Sequence, residues 1–274
     1  MSDLLVGFDS AWTPGNCGAL AGALRTESGE LQELGLPEVT NFDEAAERII
    51  SWQLKHRPVR TVVMLDQPTI VKNATGQRGV ENIVASPVSR RYSGVQPAYT
   101  GREEMFGANA PVWAFLEQFG GPADPLAPVK SVVHETYPVL SLIALGWIQP
   151  DDARPTGRLP KYNPERRATF SIADWRFVCE KLERTLRNYG LKELANWVES
   201  LGQKSSPNKQ DQDGIDACIC LLVAVLVGTP RRCMMIGNLQ SGYIVVPHQE
   251  DLHAEMSERC RNTARSPTDW IRLL

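Results

Sequence analysis

Short apolar stretches separated by turn residues predict the first strands of a sheet. Leu4 to Phe8 is apolar and ends at Asp9. Cys17 to Leu24 is small and apolar, and Glu30 to Leu36 follows the turn at Ser28-Gly29. Because these stretches are short and bounded by turn residues, they predict an antiparallel meander of three strands.

Helical and strand patterns alternate after the meander. Asn41 or Asp43 can cap a helix that runs to about Leu54, and Arg60 to Leu65 is a β-branched strand that ends at Asp66. The later predicted elements are a helix at 105–119 broken at Pro111, a strand at 129–133, a helix at 140–145, amphipathic helices within 164–201, an apolar helix at 211–227 and a terminal hairpin of 234–236 with 242–246.

This order of elements predicts one α/β domain over residues 1–274. The meander continues into parallel strands, which gives a mixed sheet with helices on both faces. Two polar stretches, near 71–101 and 151–164, are predicted to be inserted loops, and the helices near 165–201 a helical insertion. In open α/β sheets the functional site lies beyond the carboxyl ends of the parallel strands.

Three of the predicted core strands end in an acidic residue. These residues are Asp9, Asp66 and Glu135. Any one of them could simply begin a turn. If the three strands are neighbours, however, their carboxylates converge, and the pattern predicts an acidic pocket at one edge of the sheet.

A further pair of acids begins the apolar helix. Asp213 and Asp216 stand three residues apart and therefore share one helical face. Acids near a helix N-terminus can serve only as caps or as partners of the helix dipole. Asp216 is followed by Ala217-Cys218-Ile219 and is predicted to face inward, where an unpartnered carboxylate is costly.

Clustered carboxylates repel one another and need a cation to stay ionised together. Oxygen ligands suit Mg²⁺ or Mn²⁺, and two such ions can promote hydrolysis of a phosphodiester. The six cysteines and four histidines show no zinc-binding spacing, and His134 is predicted to face away from Glu135. The cysteine usage suits a reducing compartment.

Charge and hydropathy limit the partners. The net charge of −3 means that nucleic acid would have to bind a local basic patch. Arg90, Arg91, Arg158 and Lys161 are candidate phosphate-binding residues, with Tyr162 as a base-stacking candidate, although a solvated loop explains them equally simply. The acidic start is no signal peptide and the longest apolar run is too short for a membrane span, so we expect a cytoplasmic protein without membrane contact.

Four motifs stand in order along the chain: Gly7-Phe8-Asp9-Ser10-Ala11-Trp12, Leu65-Asp66-Gln67-Pro68, Glu135-Thr136-Tyr137-Pro138 and Asp213-Gly214-Ile215-Asp216-Ala217. They resemble the motif series of the domain-of-unknown-function 429 family, described as predicted nucleases with a ribonuclease H-like fold. The last motif also resembles that of Holliday-junction resolvases. The resemblance implies a metal-dependent nuclease site at Asp9, Asp66, Asp213 and Asp216.

Two departures from related enzymes concern the acids. Resolvases carry Glu where this chain has Asp66, and in ribonuclease H proper the glutamate lies on the first helix, whereas Glu135 follows the fifth strand. Glu135 is therefore a catalytic ligand, a supporting residue or part of a turn. The family activity is itself a prediction from fold.

The leading hypothesis is a Mg²⁺- or Mn²⁺-dependent nuclease acting on structured or short DNA or RNA. One alternative is a non-catalytic binding or regulatory module of the same fold. The other is a nucleotide-binding phosphotransferase-like protein, which would need two such domains and Gly-rich phosphate turns.

Overall fold

The computed structural model describes residues 2–274 and contains a six-stranded mixed sheet. The strands lie in the order β3-β2-β1-β5-β6, with β4 also paired to β2. β2 is antiparallel to its neighbours, whereas the β1–β5 and β5–β6 pairs are parallel. The strands are β1 (Asp3–Asp9), β2 (Gly18–Arg25), β3 (Leu31–Glu33), β4 (Glu38–Thr40), β5 (Arg60–Leu65) and β6 (Ser131–Glu135). The predicted α/β class, with a meander that continues into parallel strands, is confirmed.

Helices cover both faces of this sheet, as predicted. One face packs against α1 (Phe42–His56) and α4 (Pro111–Gln118). The other packs against α8 (Lys209–Val227) and the helices around it. The remaining helices are α2 (Gly79–Ser89), α3 (Glu103–Phe106), α5 (Pro138–Ala144), α6 (Ile172–Asn188), α7 (Lys192–Gly202), α9 (Glu250–Asn262) and α10 (Pro267–Trp270).

Local sequence explains where α1 begins and ends. The Asn41 side chain accepts from the backbone N–H of Glu44, whose carboxylate accepts in return from the Asn41 N–H. This reciprocal capping box satisfies donors that the helix itself leaves open. The helix stops where Arg57 adopts a left-handed conformation, with φ of 48°. Its inner face places Trp52 against Gly22 of β2.

Helix α8 lies directly on the backbone of β1. A Cβ atom on Gly7 would stand 2.2 Å from both the Ala217 oxygen and the Leu221 nitrogen. Only glycine permits this approach, because both contacted atoms belong to main chain that cannot rotate away. The contact brings the N-terminal half of α8 beside the carboxyl end of β1.

The C-terminal part of the chain forms a second sheet. Its three strands lie in the order β8-β7-β9, with β7 (Cys233–Asn238), β8 (Gly242–Pro247) and β9 (Ile271–Leu273). The predicted hairpin is therefore correct, but it is not terminal, because α9, α10 and β9 follow. Strand β9 pairs with β7 in antiparallel orientation.

Two other predictions need correction. The stretch 71–101 is not only a loop, because α2 lies within it and buries Val80, Ile83, Val84 and Val88 at helical spacing. The third strand of the meander, predicted over 30–36, is only the short β3, and the unpredicted β4 follows it; both pair with β2. The stretch 151–164 lacks helices and is held by a bridge between Gln149 and Arg158.

All six cysteines carry free thiols, and five of them are buried. Within residues 2–274, the chain forms no helix with the length and apolar character that a membrane crossing requires.

The contact at Gly7 predicts a specific sensitivity. Gly7→Ala should lower the free energy of unfolding by about 1–3 kcal/mol or more, because β1 and α8 must move apart. Urea denaturation measures this loss. Gly15→Ala is the matched control, since a Cβ there meets nothing within 4 Å. Equal denaturation midpoints for the two variants would contradict the close packing of α8 on β1.

Candidate functional site

A cleft of about 590 Å³ opens at the carboxyl ends of β1 and β5. It is the place that the strand order predicts, because the two parallel strands end side by side there. The five acids singled out in the sequence all line this cleft: Asp9, Asp66, Glu135, Asp213 and Asp216. The structure thus brings together residues that lie more than 200 positions apart.

Strand alternation places Asp9 on the face that α8 covers. It follows Leu5 and Gly7 at a spacing of two, and Leu5 belongs to the core on that face. The neighbouring Asp66 is held by its backbone, whose N–H donates to the Phe8 oxygen at 2.8 Å. The Trp12 indole N–H donates to the Asp66 carbonyl at 2.6 Å, with Trp12 itself at a positive φ of 63°. A tryptophan in this conformation is uncommon and is typical of functional sites.

The first turns of α8 supply the other two aspartates. Asn208 and Asp211 form a capping box, which accounts for Asp211 as a structural cap. Asp213 accepts from the Lys209 ammonium. Asp216 accepts from the Tyr162 hydroxyl at 2.6 Å and from the Gln212 amide. The side chains of Asp213 and Asp216 therefore line the cleft and do not cap the helix.

Burial and mutual repulsion make full ionisation of the cluster unfavourable. Burial, followed by the charge of Asp216, raises the pKa of Asp9 well above its ordinary value. The same two causes raise the pKa of Asp66 well above its ordinary value. Burial also raises the pKa of Asp213, and it raises that of Asp216 to about 6. At neutral pH the cluster therefore favours any cation that can neutralise it.

Lys209 is the positive charge that the chain itself supplies to the cluster. Burial lowers the pKa of this ammonium, but the attraction of Asp9 and Asp213 outweighs burial, and its pKa is raised overall. Its side chain is still 43% exposed. Lys209 stands four residues before Asp213. It was not identified from the sequence, because a lysine near the start of a helix is usually an ordinary solvent-exposed residue.

Glu135 differs from the aspartates because it has a full partner. Both of its oxygens accept from the Arg78 guanidinium, at 2.6 and 2.8 Å. Arg78 also donates to Glu81 at 2.7 Å, and all three side chains are buried. This fork geometry is the strong form of a charged hydrogen bond. Of the three roles considered for Glu135, the arrangement favours that of a supporting residue at the wall of the cleft.

Three of the four predicted substrate-binding residues do not line the cleft. Arg90 and Arg91 both pair with Glu255 of α9, and Arg158 pairs with Asp174 of α6. Their charges are thus paired with acids of the surrounding helices. Lys161 does line the cleft, and its ammonium donates to the Tyr92 carbonyl.

The structure also gives the positions of other basic and polar side chains near the cleft. Arg166 is exposed and lines the cleft, whereas its neighbour Arg167 does not. Tyr162 is buried and bonded to Asp216, so it cannot stack on a base. His134 faces away from Glu135, as predicted, and its Nδ1 lies 2.8 Å from the Tyr243 hydroxyl. Burial lowers the pKa of His134 to about 3, so its imidazole is neutral.

The donor set of the cleft fits a hard divalent cation. Asp9, Asp66, Asp213 and Asp216 offer carboxylate oxygens. In addition, the buried Gln212 Oε1 has no hydrogen-bond partner within residues 2–274. Oxygen-only sites of this kind suit Mg²⁺ or Mn²⁺.

Residues 7–238 match the family described as "Protein of unknown function (DUF429)". The chain belongs to this family. The matched segment contains the five acids of the cleft, and it ends before α9. Comparisons with curated proteins and with solved structures gave no match.

The raised carboxyl pKa values predict how stability depends on pH without metal. Between about pH 4 and the raised pKa, the folded chain holds protons that the unfolded chain has released. The free energy of unfolding contributed by the cluster therefore falls as pH rises through this window. Asp9→Asn removes one repelling charge, so its stability relative to wild type should rise from pH 5 to pH 8. Urea denaturation in EDTA checks this trend.

The exposed Asp152→Asn variant is the control for that pH series. It should follow wild type at every pH. A constant difference between Asp9→Asn and wild type across the range would contradict the crowding of charge in the cleft.

The buried Arg78 pair predicts a second asymmetry. Arg78→Met should lower the free energy of unfolding by about 3–5 kcal/mol, because it leaves Glu81 and Glu135 buried without a cation. Arg272→Met is the matched control, since Arg272 forms the same fork with Asp124 but is 43% exposed. Arg272→Met should lower the free energy of unfolding by less than about 1 kcal/mol. Thermal or urea unfolding measures both variants. Equal decreases in the free energy of unfolding would contradict a supporting role for the buried ion pair at Glu135.

Proposed function

We propose that this protein is a divalent-metal-dependent phosphodiester hydrolase that acts on nucleic acid. The observation that carries the proposal is the convergence of Asp9, Asp66, Asp213 and Asp216 in one cleft at the carboxyl ends of two parallel strands. Their charges cannot all persist there without a cation. A metal that neutralises them also creates a positive field for a phosphate group.

The sheet supports a ribonuclease H-like fold as part of this proposal. Such a fold needs a three-strand meander followed by parallel strands added beside the first strand. The order β3-β2-β1-β5-β6, with β2 antiparallel, meets this requirement. Helix α8 packs on the face of the sheet to which Asp9 points. In a ribonuclease H-like fold this is the place expected for the helix with the last acidic motif, which here contains Asp213 and Asp216.

The four aspartates would hold Mg²⁺ or Mn²⁺ by their carboxylate oxygens. When bound, these ions supply activation of a water molecule and neutralise charge on the phosphodiester. The Tyr162 hydroxyl and the Gln212 amide fix the orientation of Asp216. The Arg78 fork fixes Glu135 at the wall beside Asp66.

Basic side chains at the rim of the cleft provide the grip on substrate. Arg166 presents an exposed guanidinium, which can bind phosphate with two parallel hydrogen bonds. Lys161 lines the same cleft. Because these cations are few and the chain carries a net charge of −3, a short or structured nucleic acid fits better than long duplex.

One observation favours a second candidate, a non-catalytic binding module of the same fold. The Lys209 ammonium already lies against Asp213 and attracts Asp9 and Asp216. The chain can therefore offset part of the acidic charge without metal. In a non-catalytic module this lysine would be the permanent counter-ion of the cluster.

Cleavage and metal-induced stabilisation together test the proposed hydrolase. With Mn²⁺, wild type should cleave a member of a panel of single-stranded, duplex and branched DNA and RNA. Asp66→Asn should abolish cleavage while the chain stays folded, because a carboxylate ligand is lost. Metal should also raise the melting temperature of wild type by mass action, and less so for Asp66→Asn.

Arg166→Ala and Arg167→Ala form the matched pair for substrate binding. Arg166→Ala should weaken binding and reduce its salt dependence more than it slows the chemical step. Arg167→Ala, one position along and outside the cleft lining, should affect both less. An intact panel at high protein concentration, with equal metal response in wild type and Asp66→Asn, would favour the non-catalytic module.

A further inference from the structure

A second group of metal-ligand side chains lies where β8 ends and α9 begins. His248 follows β8, and Glu250 and His253 share one face of the first turns of α9. One ligand atom from each residue lies within 4.8 Å of the other two. Within residues 2–274, no other group of three or more His, Cys, Asp or Glu residues brings its ligand atoms this close together. The carboxylates of the cleft are therefore more widely spaced than these three side chains.

The distances are close to those of a bound transition metal. His248 Nε2 lies 3.8 Å from Glu250 Oε1. The two imidazole rings have centroids 5.7 Å apart and are inclined at 68°. Zinc holds nitrogen and oxygen ligands at about 2.0–2.1 Å, which sets tetrahedral ligand atoms about 3.4 Å apart. For the pair of His248 and Glu250, a shift of a few tenths of an ångström in the exposed Glu250 side chain closes the difference, and the ligand atom of His253 lies within 4.8 Å of both.

Backbone hydrogen bonds hold the three residues in place without metal. The His248 N–H donates to the Arg232 oxygen at 2.8 Å. The Gln249 side chain caps α9 by accepting from the Leu252 N–H at 2.5 Å, and the His253 N–H donates to the Gln249 oxygen at 2.9 Å. The ligands are therefore presented by ordered backbone, which reduces the entropy lost when an ion binds.

One nitrogen of the group lacks a hydrogen-bond partner. His248 Nε2 is shielded from solvent and finds no hydrogen bond within residues 2–274. The His248 side chain is only 13% exposed, while that of Glu250 is 87% exposed. An orphaned buried nitrogen beside a solvent-facing carboxylate and a second imidazole is the arrangement that a metal ion satisfies.

We propose that His248, Glu250 and His253 bind Zn²⁺, with the fourth position open to solvent. Two imidazoles and one carboxylate suit zinc better than the hard ions that favour oxygen alone. The helix dipole opposes a cation at the start of α9, but the carboxylates of Glu250 and Asp251 offset it. The bound ion would tie the end of β8 to α9.

This site is separate from the acidic cleft. His248 lines a cavity of about 240 Å³ together with Leu226, near the C-terminal end of α8. Asp216 lies ten residues earlier on that helix, about 15 Å along its axis. The three ligands also lie beyond the segment that matches the family. The inference is therefore independent of the proposed nuclease activity.

The test uses the full chain in a Cys17→Ser background, because Cys17 is the exposed thiol. After removal of metal with EDTA, Zn²⁺ binding is measured by calorimetry and Co²⁺ binding by visible absorption. We expect one Zn²⁺ per chain at this site, counted apart from any ion in the acidic cleft, and the strong visible bands of four-coordinate Co²⁺. Glu250→Ala and His253→Ala should each weaken Zn²⁺ binding by at least about tenfold. Because Glu250 is so exposed, its replacement should leave the fold intact.

Two variants serve as controls. Glu258→Ala changes an exposed acid on the same helix, and His56→Ala changes a histidine of α1. Both should bind Zn²⁺ like the Cys17→Ser parent. The proposal is overturned if the parent binds no Zn²⁺, or if Glu250→Ala and His253→Ala bind it unchanged.

Discussion

The contact between α8 and β1 positions everything that gives this molecule a candidate site. It is a contact between main chains, made possible because Gly7 has no side chain. The strand supplies Asp9 and the helix supplies Asp213 and Asp216 from opposite ends of the sequence. Their separation is therefore set by rigid backbone and not by the packing of side chains, which can adjust. The long buried body of α8, from Ile215 onward, anchors this geometry in the core.

The chain accommodates its buried acids in two different ways. Glu135 is neutralised within the fold by the Arg78 fork, so it is a stable part of the wall. The aspartates are offset in part by the Lys209 ammonium, and protons or a bound ion must supply the rest. The same cleft thus holds one carboxylate with a full partner and several without one. Buried carboxylates that lack a full counter-charge are typical of functional sites. That contrast distinguishes the cleft from an ordinary buried ion pair.

Sequence patterns predicted the parts of the structure that depend on local order. The cap at Asn41 and the strand that presents Asp9 both follow from residues within a few positions. Partners that are distant in sequence were missed, because composition does not show which charges meet. Arg91 is a basic loop residue until Glu255 is seen beside it, 164 positions later. The helix after Arg78 was missed although its apolar spacing is regular, since Pro87 and the surrounding polar residues favour a loop. The group formed by His248, Glu250 and His253 was missed because neither spacing nor residue type marks it without the turn that joins β8 to α9.

The interruption between β3 and β4 has a consequence for how molecules meet one another. An outer strand with a continuous row of free N–H and C=O groups can recruit a strand from another copy and begin aggregation. Here the outer strand beside β2 consists of two pieces of three residues each, separated by a segment that contains Pro37. Pro37 has no N–H to offer, and neither piece is long enough to template a neighbour. Although Leu36 and Val39 are exposed along this edge, the break disfavours pairing of this edge with a strand of another molecule.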